Sequence, residues 1–313
     1  DDYGFIGHIG EVIIYGAGNL SATDRNRVDA YLALKYGITL PAGTNYLNAA
    51  GNIVWNATTN SSYHNNVMGI VHDEASALNQ KQSKSVNPGQ QLIIATTGLS
   101  NTNSANNTSL NDGQYLICGD NGLGKVPAVA LTGVGGVNFR FASVWKVQNT
   151  GTTGTVRVAW PAGLTNLTLI QGTDPTFASV AASQLMTSNT ITVNGVTYNY
   201  ADVTLADGQF FTFATQLNGP GGVALNLRVW LRADAGFAPQ EWADLSGNAN
   251  NYTQANATRQ PFLATKQYNF NPIVDFGGSA SADGRFMVVP SGKPFTANGL
   301  SGTFFTATMT RIG

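Results

Sequence analysis

Two apolar stretches lie at opposite ends of the chain, and neither is long enough to bury its own apolar face. Residues 5–40 predict a closing β-strand, GHIGEVIIYG, followed by one helix that stops at Gly37. From Leu225 onward the sequence predicts an opening strand, LNLRVWLRADAG, followed by WADLSGNANNYTQ and NFNPIVDFGG. An edge strand without a partner leaves its backbone groups open to association with another chain. This pattern favours one period of a longer array, with two part-domains of one kind on either side of a different domain.

The helix near the start of the chain has clear end signals. Ser21 is a typical N-cap residue and Asp24 follows it three positions later. Gly37 supplies the left-handed residue with which many helices end. One stripe of this helix carries Val28, Tyr31, Leu32 and Lys35.

Most of the remaining sequence predicts antiparallel strands. Short apolar or alternating runs are bounded by Gly, Asn, Asp and Pro, as strands of sandwiches and barrels are. Asn194-Gly195 predicts a two-residue hairpin turn, because both positions of that turn need positive φ angles. The fold class predicted is all-β, with antiparallel β-sandwiches and one short α-helix. The main predicted strand regions are GNIVWNAT, QQLIIATTG, GQYLICG, ASVWKVQNTG, GTVRVAWP, NLTLIQG, NTITVNGVTYNYADVTL and GQFFTFATQ.

Three domains are predicted from these runs and from the linkers between them. Residues 218–222, Asn-Gly-Pro-Gly-Gly, read as a linker. A weaker boundary is expected around residues 41–46, and a break near residues 124–136 divides the middle into two candidate layers. The predicted division is a closing strand and helix over 1–40, a β-rich Ig-like or jelly-roll-like middle over 45–217, and an opening part-sandwich over 223–313.

Composition narrows the classes of partner. Of 313 residues, 42% are hydrophobic, which is ordinary for a packed protein, but only 11% are charged. A net charge of −1 supplies no long-range field for phosphate or anionic lipid. We therefore expect no nucleic-acid partner and no membrane insertion. The lone cysteine, Cys118, rules out a disulfide within the chain, and we interpret it as a small buried hydrophobe.

No catalytic constellation is predicted. Glycoside hydrolysis needs two carboxyl groups facing one another across a groove. Asp73 and Glu74 are adjacent in sequence and point to opposite faces of a strand. Glu241 and Asp244, near Trp242, are the other candidates. The sequence lacks the alternating acidic residues that sandwich glycosidases usually carry on one strand. We expect the chain not to be an enzyme.

Both ends of the chain resemble laminin G or concanavalin A-like sandwich domains of secreted Bacteroidetes proteins. The resemblance is carried by IGEVIIY with VDAYLALKYGITL, and by RVWLRADAG, WADLSGNANNYTQ, RQPFLA and NFNPIVDFGG. The middle resembles an uncharacterised β-rich domain that follows such sandwiches in large type IX-secreted surface proteins, through NNVMGIVHDEASALNQKQSKSVNPGQQLIIAT, YLICGDNG, VWKVQNTGTTGTVRVAWP and DGQFFTFAT. The resemblance implies an extracellular or cell-surface protein, associated with the outer membrane, with adhesive, gliding or surface-layer roles. It carries over no catalytic residue.

A calcium site is one expectation that follows from the resemblance, because concanavalin-like sandwiches often hold Ca²⁺ through side-chain and loop oxygens. The alternative interpretation is that the run from Asp244 to Asn248 is a turn in which Asp and Asn cap backbone amides. The candidate oxygen ligands are Asp234, Asp244, Asn248, Asp275 and Asp283. No other cofactor is expected.

Glycan binding is a second expectation, since exposed aromatic rings beside Asn, Asp or Gln suit the faces of sugars. The candidates are Trp242, Tyr252 and Tyr268, for which packing at a core or rim is an equal alternative. Trp55, Trp145 and Trp230 alternate with apolar neighbours and are expected in the core.

The function expected from the sequence is a non-catalytic structural and adhesive repeat module of a secreted surface or filament protein. Its partners are neighbouring copies or repeats of the same protein, and glycans are a further candidate. The alternative is a carbohydrate-binding module of a secreted polysaccharide-degrading enzyme. We expect each predicted terminal strand to be an edge that pairs with a strand from another repeat or copy. The residues of the first edge are Ile9, Val12 and Ile14, and those of the second are Leu227, Val229 and Leu231.

Overall fold

A computed structural model describes residues 7–16, 18–224, 226–277, 284–289 and 302–308. The chain divides into two compact units. The first consists of Asp1–Val126 and Phe141–Ala214, and the second of Pro127–Arg140 and Thr215–Gly313.

The helix, α1, spans Ala22–Tyr36, close to its predicted bounds. The Ser21 side chain accepts a hydrogen bond from the Asp24 backbone N–H at 3.1 Å, which satisfies one of the free amides of the first turn. Gly37 ends the helix in the left-handed conformation, with φ at 67°. The predicted helix is therefore confirmed together with both of its caps.

The strands are short, and most are bounded by Gly or Asn turns. Asn194 and Gly195 have φ angles of 48° and 80°, as the predicted two-residue hairpin requires. In chain order the strands up to residue 215 are β1 Tyr46–Leu47, β2 Ile53–Trp55, β3 Asn65–Asp73, β4 Leu78–Gln80, β5 Gln82–Ser83, β6 Ile93–Ala95, β7 Gln114–Asp120, β8 Pro127–Ala130, β9 Phe139–Phe141, β10 Trp145–Thr150, β11 Thr155–Pro161, β12 Thr168–Gly172, β13 Ala182–Leu185, β14 Thr190–Val193, β15 Val196–Thr204 and β16 Phe210–Thr215. The later strands are β17 Phe237–Ala238, β18 Glu241–Trp242, β19 Tyr252–Thr253, β20 Phe262–Tyr268 and β21 Asn271–Asp275.

Two antiparallel sheets face each other in the first unit. The large sheet runs in the order β13-β12-β16-β10-β7-β3-β4, and the small sheet in the order β14-β15-β11-β6-β5. Their facing side chains form one apolar core rich in aromatic rings, including Trp145, Trp160 and Phe213. Cys118 is fully buried in this core, as its interpretation as a small hydrophobe predicts. The all-β, sandwich-like class is confirmed.

Helix α1 covers the other face of the large sheet. Because side chains alternate along a strand, β7 sends Leu116 and Cys118 into the core between the sheets, and Tyr115 and Ile117 towards the helix. On the helix side these residues pack with Ala30, Ala33, Leu34, Tyr46, Val54, Trp55, Val67, Val71 and Leu78. The boundary expected at residues 41–46 is therefore wrong, because the helix shares a core with the strands on both sides of that boundary.

The expected break near residues 124–136 also fails to separate two layers. Strands from both halves of the sequence enter both sheets: β6 pairs with β11 in the small sheet, and β7 with β10 in the large one. A division along the chain cannot produce such interleaving, and residues 127–130 themselves form a strand.

The second unit is built of small hairpins. Its sheets run in the orders β17-β18-β19 and β20-β21. Trp230, expected in a core, is only half-buried. Large apolar side chains of this unit are exposed, among them Phe262, Leu263, Phe270, Phe304 and Phe305. No helix among the described residues has the length and apolar character needed to cross a bilayer.

Neither terminal strand predicted from the sequence is formed in the described residues. Residues 7–16 contain no strand, and residues 226–231 contain none either. In the second stretch an isolated bridge joins Arg232 to Ala235. A strand is defined by a ladder of hydrogen bonds to a neighbour, and the described chain supplies no such ladder to either segment.

Candidate functional site

The turn that begins at Asp244 holds the segment around Arg228 in place. The Asp244 carboxylate accepts hydrogen bonds from the backbone N–H groups of Trp230 (2.9 Å), Ser246 (2.9 Å) and Asn250 (3.0 Å). It also accepts from the Ser246 hydroxyl at 2.7 Å. The two hydrogen bonds from Ser246 are of the local kind that the turn interpretation predicts, whereas the one from Trp230 joins the turn to a residue 14 positions earlier.

The remaining calcium candidates do not gather around Asp244. Asn248 uses its side-chain amide as a donor to the carbonyl oxygen of Leu227 at 2.7 Å. Asp234 pairs with Arg232, and Asp275 accepts from the Gly277 N–H in a turn of its own. Asp283 lies outside the described residues. Within the described ranges no three His, Cys, Asp or Glu side chains come together as a metal site.

The aromatic candidates are divided between two hairpins. Trp242 and Tyr252 are directly opposite one another on β18 and β19, so their side chains lie on the same face. Both are half-buried, and the Trp242 indole N–H donates to the carbonyl oxygen of Arg232 at 2.8 Å. Tyr268 is exposed on β20 and is not part of this pair.

The members of each carboxylate pair considered for catalysis differ in burial and in hydrogen-bond partners. Asp73 is buried at the end of β3, whereas the exposed Glu74 begins the following turn. Glu241 accepts from the Asn251 side-chain amide at 2.9 Å, and the Asn251 side-chain oxygen accepts from the Asp244 backbone N–H at 3.0 Å. Asn251 therefore links the Glu241 carboxylate to the backbone of Asp244, whose own carboxylate is held by other donors.

A polar tether holds the N-terminal segment on helix α1. Glu11 accepts hydrogen bonds from Lys35 at 2.8 Å and from the hydroxyls of Tyr31 and Tyr36 at 3.0 and 3.2 Å. The hydrogen bond from Lys35 is the main cause of the lowered pKa of Glu11, and it outweighs the opposing effect of desolvation. The helix pattern alone gave no signal for this tether, because only the folded chain shows which acid faces Lys35.

Apolar side chains of the same segment are exposed. Ile9, Val12 and Ile14 are 63%, 69% and 86% exposed. At the other predicted edge, Leu227, Val229 and Leu231 are half-buried. The two edges thus differ: the first presents its apolar side chains to solvent, whereas the backbone of the second is occupied by the Asp244 turn.

The comparisons with known proteins concern the first unit. No curated protein and no solved structure matches the chain. A family described as a domain of unknown function, DUF8202, matches residues 24–209, which include most of α1, the small sheet, and the large sheet in the order given above except β16. This match spans more than half of the 313 residues, and the chain belongs to that family.

Proposed function

We propose that the chain is a non-catalytic structural and adhesive module of a secreted surface protein. Its first unit serves as a rigid spacer, and its apolar ends are covered by neighbouring repeats or copies. The laminin G-like character of the ends, type IX export and an extracellular or cell-surface location are parts of this proposal. The low content of charged residues, 11%, is in keeping with such a surface.

The observation that carries the proposal is the exposed apolar edge at residues 9–14. Val12 and Ile14 are 69% and 86% exposed, Ile13 between them is 38% exposed, and Glu11, which precedes Val12, is tethered to the helix. Alternation of more and less exposed side chains is typical of a β-strand, and here the more exposed face is the one that a partner would cover. Full burial of each such side chain by a partner would contribute about 1.5–3 kcal/mol to the association.

The second unit offers further apolar surface of the same kind. Phe262 and Leu263 are exposed on β20, and Phe270 is exposed in the turn that follows. Exposed large apolar side chains are candidates for contact with a partner when they group together on a soluble protein. Completion by another repeat would bury this surface as well.

Sedimentation velocity over a range of concentrations tests the proposal. We expect concentration-dependent association of the wild-type chain, and its loss in the variant Val12→Glu/Ile14→Glu. The matched control is Val86→Glu/Leu123→Glu, which places two charges at apolar residues of the first unit that are 64% and 55% exposed. The control is expected to associate as the wild type does.

Amide hydrogen exchange at residues 9–15 provides the result that would contradict the proposal. A wild-type chain that stays monomeric at all concentrations, with amides of residues 9–15 protected from exchange, would rule out completion by a neighbour. Exchange of those amides that slows as the chain associates is the expected result.

Carbohydrate binding is the second candidate, and the register of Trp242 with Tyr252 favours it. Two rings on one face of β18 and β19 offer a flat apolar surface, and the Asn251 amide lies beside them in sequence. A glycan array, run with and without Ca²⁺, tests this function. Binding that disappears in Trp242→Ala supports it, and an array without signal counts against it.

A further inference from the structure

A groove lies on the outer face of the small sheet, away from the core between the sheets. Its volume is about 330 Å³. Ile93 from β6 and Val193 from β14 form part of its wall, and Leu99 comes from the loop that follows β6. The other lining residues are Gln82, Ser83, Lys84, Asn194, Val196 and Tyr198.

The loop that forms one wall is fixed at two points. Gln82 exchanges two hydrogen bonds with the backbone of Ser100, at 2.7 and 2.9 Å. At the hairpin turn, Asn194 donates from its backbone N–H and from its side chain to Asn101, at 2.9 and 3.1 Å. The groove is therefore preformed, which lowers the entropic cost of binding a ligand.

Three polar groups in this groove have no partner within the described chain. Tyr198 is only 5% exposed, yet its hydroxyl makes no hydrogen bond there. The Asn194 side-chain oxygen and the Lys84 ammonium group are likewise unpaired. The Tyr198 hydroxyl oxygen is not among the fully buried polar atoms of the described chain that lack a partner, so it is accessible from the groove and can donate to a ligand there.

The charge of the groove favours an anionic ligand. Lys84 contributes a positive charge, and none of the lining residues is acidic. Burial raises the pKa of Tyr198, so its hydroxyl keeps its proton and remains a donor at neutral pH. The walls are aliphatic, through Ile93, Leu99 and Val193, rather than flat and aromatic.

We propose that this groove binds a small carboxylate with an apolar body. The carboxylate accepts hydrogen bonds from the Lys84 ammonium and the Tyr198 hydroxyl, and the apolar body packs on Ile93, Leu99, Val193 and Val196. The chemistry suits a free aliphatic acid or the carboxyl end of a peptide with an apolar last residue. This site is separate from the exposed edge at residues 9–14 and does not depend on it.

An NMR titration of the full chain with N-acetyl-leucine and N-acetyl-leucine amide tests the proposal. The two probes share the same apolar body, and the amide replaces the charged carboxylate with a neutral group of similar size. We expect the acid to shift the amide signals of residues 82–84, 99 and 193–198, and to bind about tenfold more tightly than the amide, since charge-assisted hydrogen bonds are the stronger kind. Hexanoate distinguishes the sources: binding equal to that of N-acetyl-leucine assigns a free aliphatic acid, and weaker binding assigns a peptide end.

Point variants test whether the binding occurs in this groove or reflects a general effect of salt or folding. Lys84→Met and Tyr198→Phe keep the bulk of each side chain, and each should weaken N-acetyl-leucine about tenfold. Lys146→Met, on the large sheet, and Tyr200→Phe are the matched controls and should bind as the wild type does. Equal affinity for acid and amide, unchanged affinity in both groove variants, or binding of glucuronate in place of N-acetyl-leucine overturns the proposal.

Discussion

Asp120 is a fully buried acid at the end of β7. Its carboxylate is paired with Lys125 at 2.9 Å and accepts from the Asn66 side chain and the Gly122 N–H, both at 2.8 Å. Lys125 is itself largely buried and lies 5.8 Å from the centre of the Trp145 ring. A buried ion pair of this kind costs more to break than it contributes when intact.

Replacing Lys125 with Met should therefore destabilise the first unit strongly. The change leaves the Asp120 charge buried without its cation, and we expect a loss of about 3–5 kcal/mol in the free energy of unfolding. Urea denaturation of the single and double variants measures it. Asp120→Asn/Lys125→Met removes both charges and should recover much of the loss. Losses that simply add in the double variant would contradict this account.

Asp73 gives the first unit a stability that depends on pH. Burial alone raises the pKa of Asp73, but hydrogen bonds from the Tyr115 hydroxyl, the Ala49 N–H and Ser76 outweigh it and lower the pKa below its ordinary value of 3.8. Because the folded pKa is depressed, the stabilisation is complete above the ordinary value and is lost as the pH falls through the folded pKa.

Tyr115→Phe removes one of these donors and keeps the ring. We expect it to lower the free energy of unfolding by about 1–3 kcal/mol at pH 7, with a smaller difference from the wild type below about pH 4. Denaturant titrations at pH 7 and at pH 3 give the comparison. Tyr198→Phe, whose hydroxyl contacts no carboxylate, is the control, and a difference independent of pH would exclude Asp73 as the cause.

At the scale of elements, Gly37 joins helix α1 to the edge of the small sheet. A Cβ atom at this position would lie 2.2 Å from the carbonyl oxygen of Lys84, next to β5. Gly43 also has a positive φ, 81°, but has no atom within 4 Å of such a Cβ. The two glycines thus share the conformational demand and differ in the space around them.

Gly37→Ala should destabilise the chain considerably more than Gly43→Ala. Both substitutions carry the cost of a left-handed alanine, roughly 1–2 kcal/mol, and only the first adds a clash with backbone. Thermal unfolding followed by circular dichroism gives both values. Equal losses would show that the helix end can move away from Lys84 without cost.

Elements with local signals were predictable from the sequence. Ser21 and Gly37 bound the helix, and Asn194-Gly195 forms the predicted turn, because each of these depends on the conformational preference of one or two residues. The partners of an element were not predictable. Trp55 and Ile117 pack with helix α1 across long stretches of sequence, so the polar run after Pro41 resembled a linker although it is a turn within one core.

The candidate sites follow the same rule. The turn that begins at Asp244 was one of two interpretations, because capping by Asp and Asn is local. The tether of Glu11 to Lys35 and the groove at Tyr198 join residues that are distant in sequence, and nothing in their local pattern indicates that they meet.

At the scale of the whole molecule, apolar burial is uneven along the chain. The clusters of buried apolar side chains that the structure describes all lie between Ala30 and Phe213, a range close to the family match over residues 24–209. Strands β3 and β7 contribute side chains both to the core between the two sheets and to the core beneath helix α1. We therefore expect these layers to unfold together in a single cooperative transition.

Cys118 makes that transition measurable without any engineered probe. Its thiol is fully buried between the sheets and burial raises its pKa, so a thiol reagent reaches it only when the sandwich opens. At high reagent concentration the labelling rate should equal the opening rate and match the unfolding rate extrapolated from denaturant. Rapid labelling in native buffer would show that the sheets part locally instead. The labelling rate of this single cysteine thus reports how often the core is exposed to solvent.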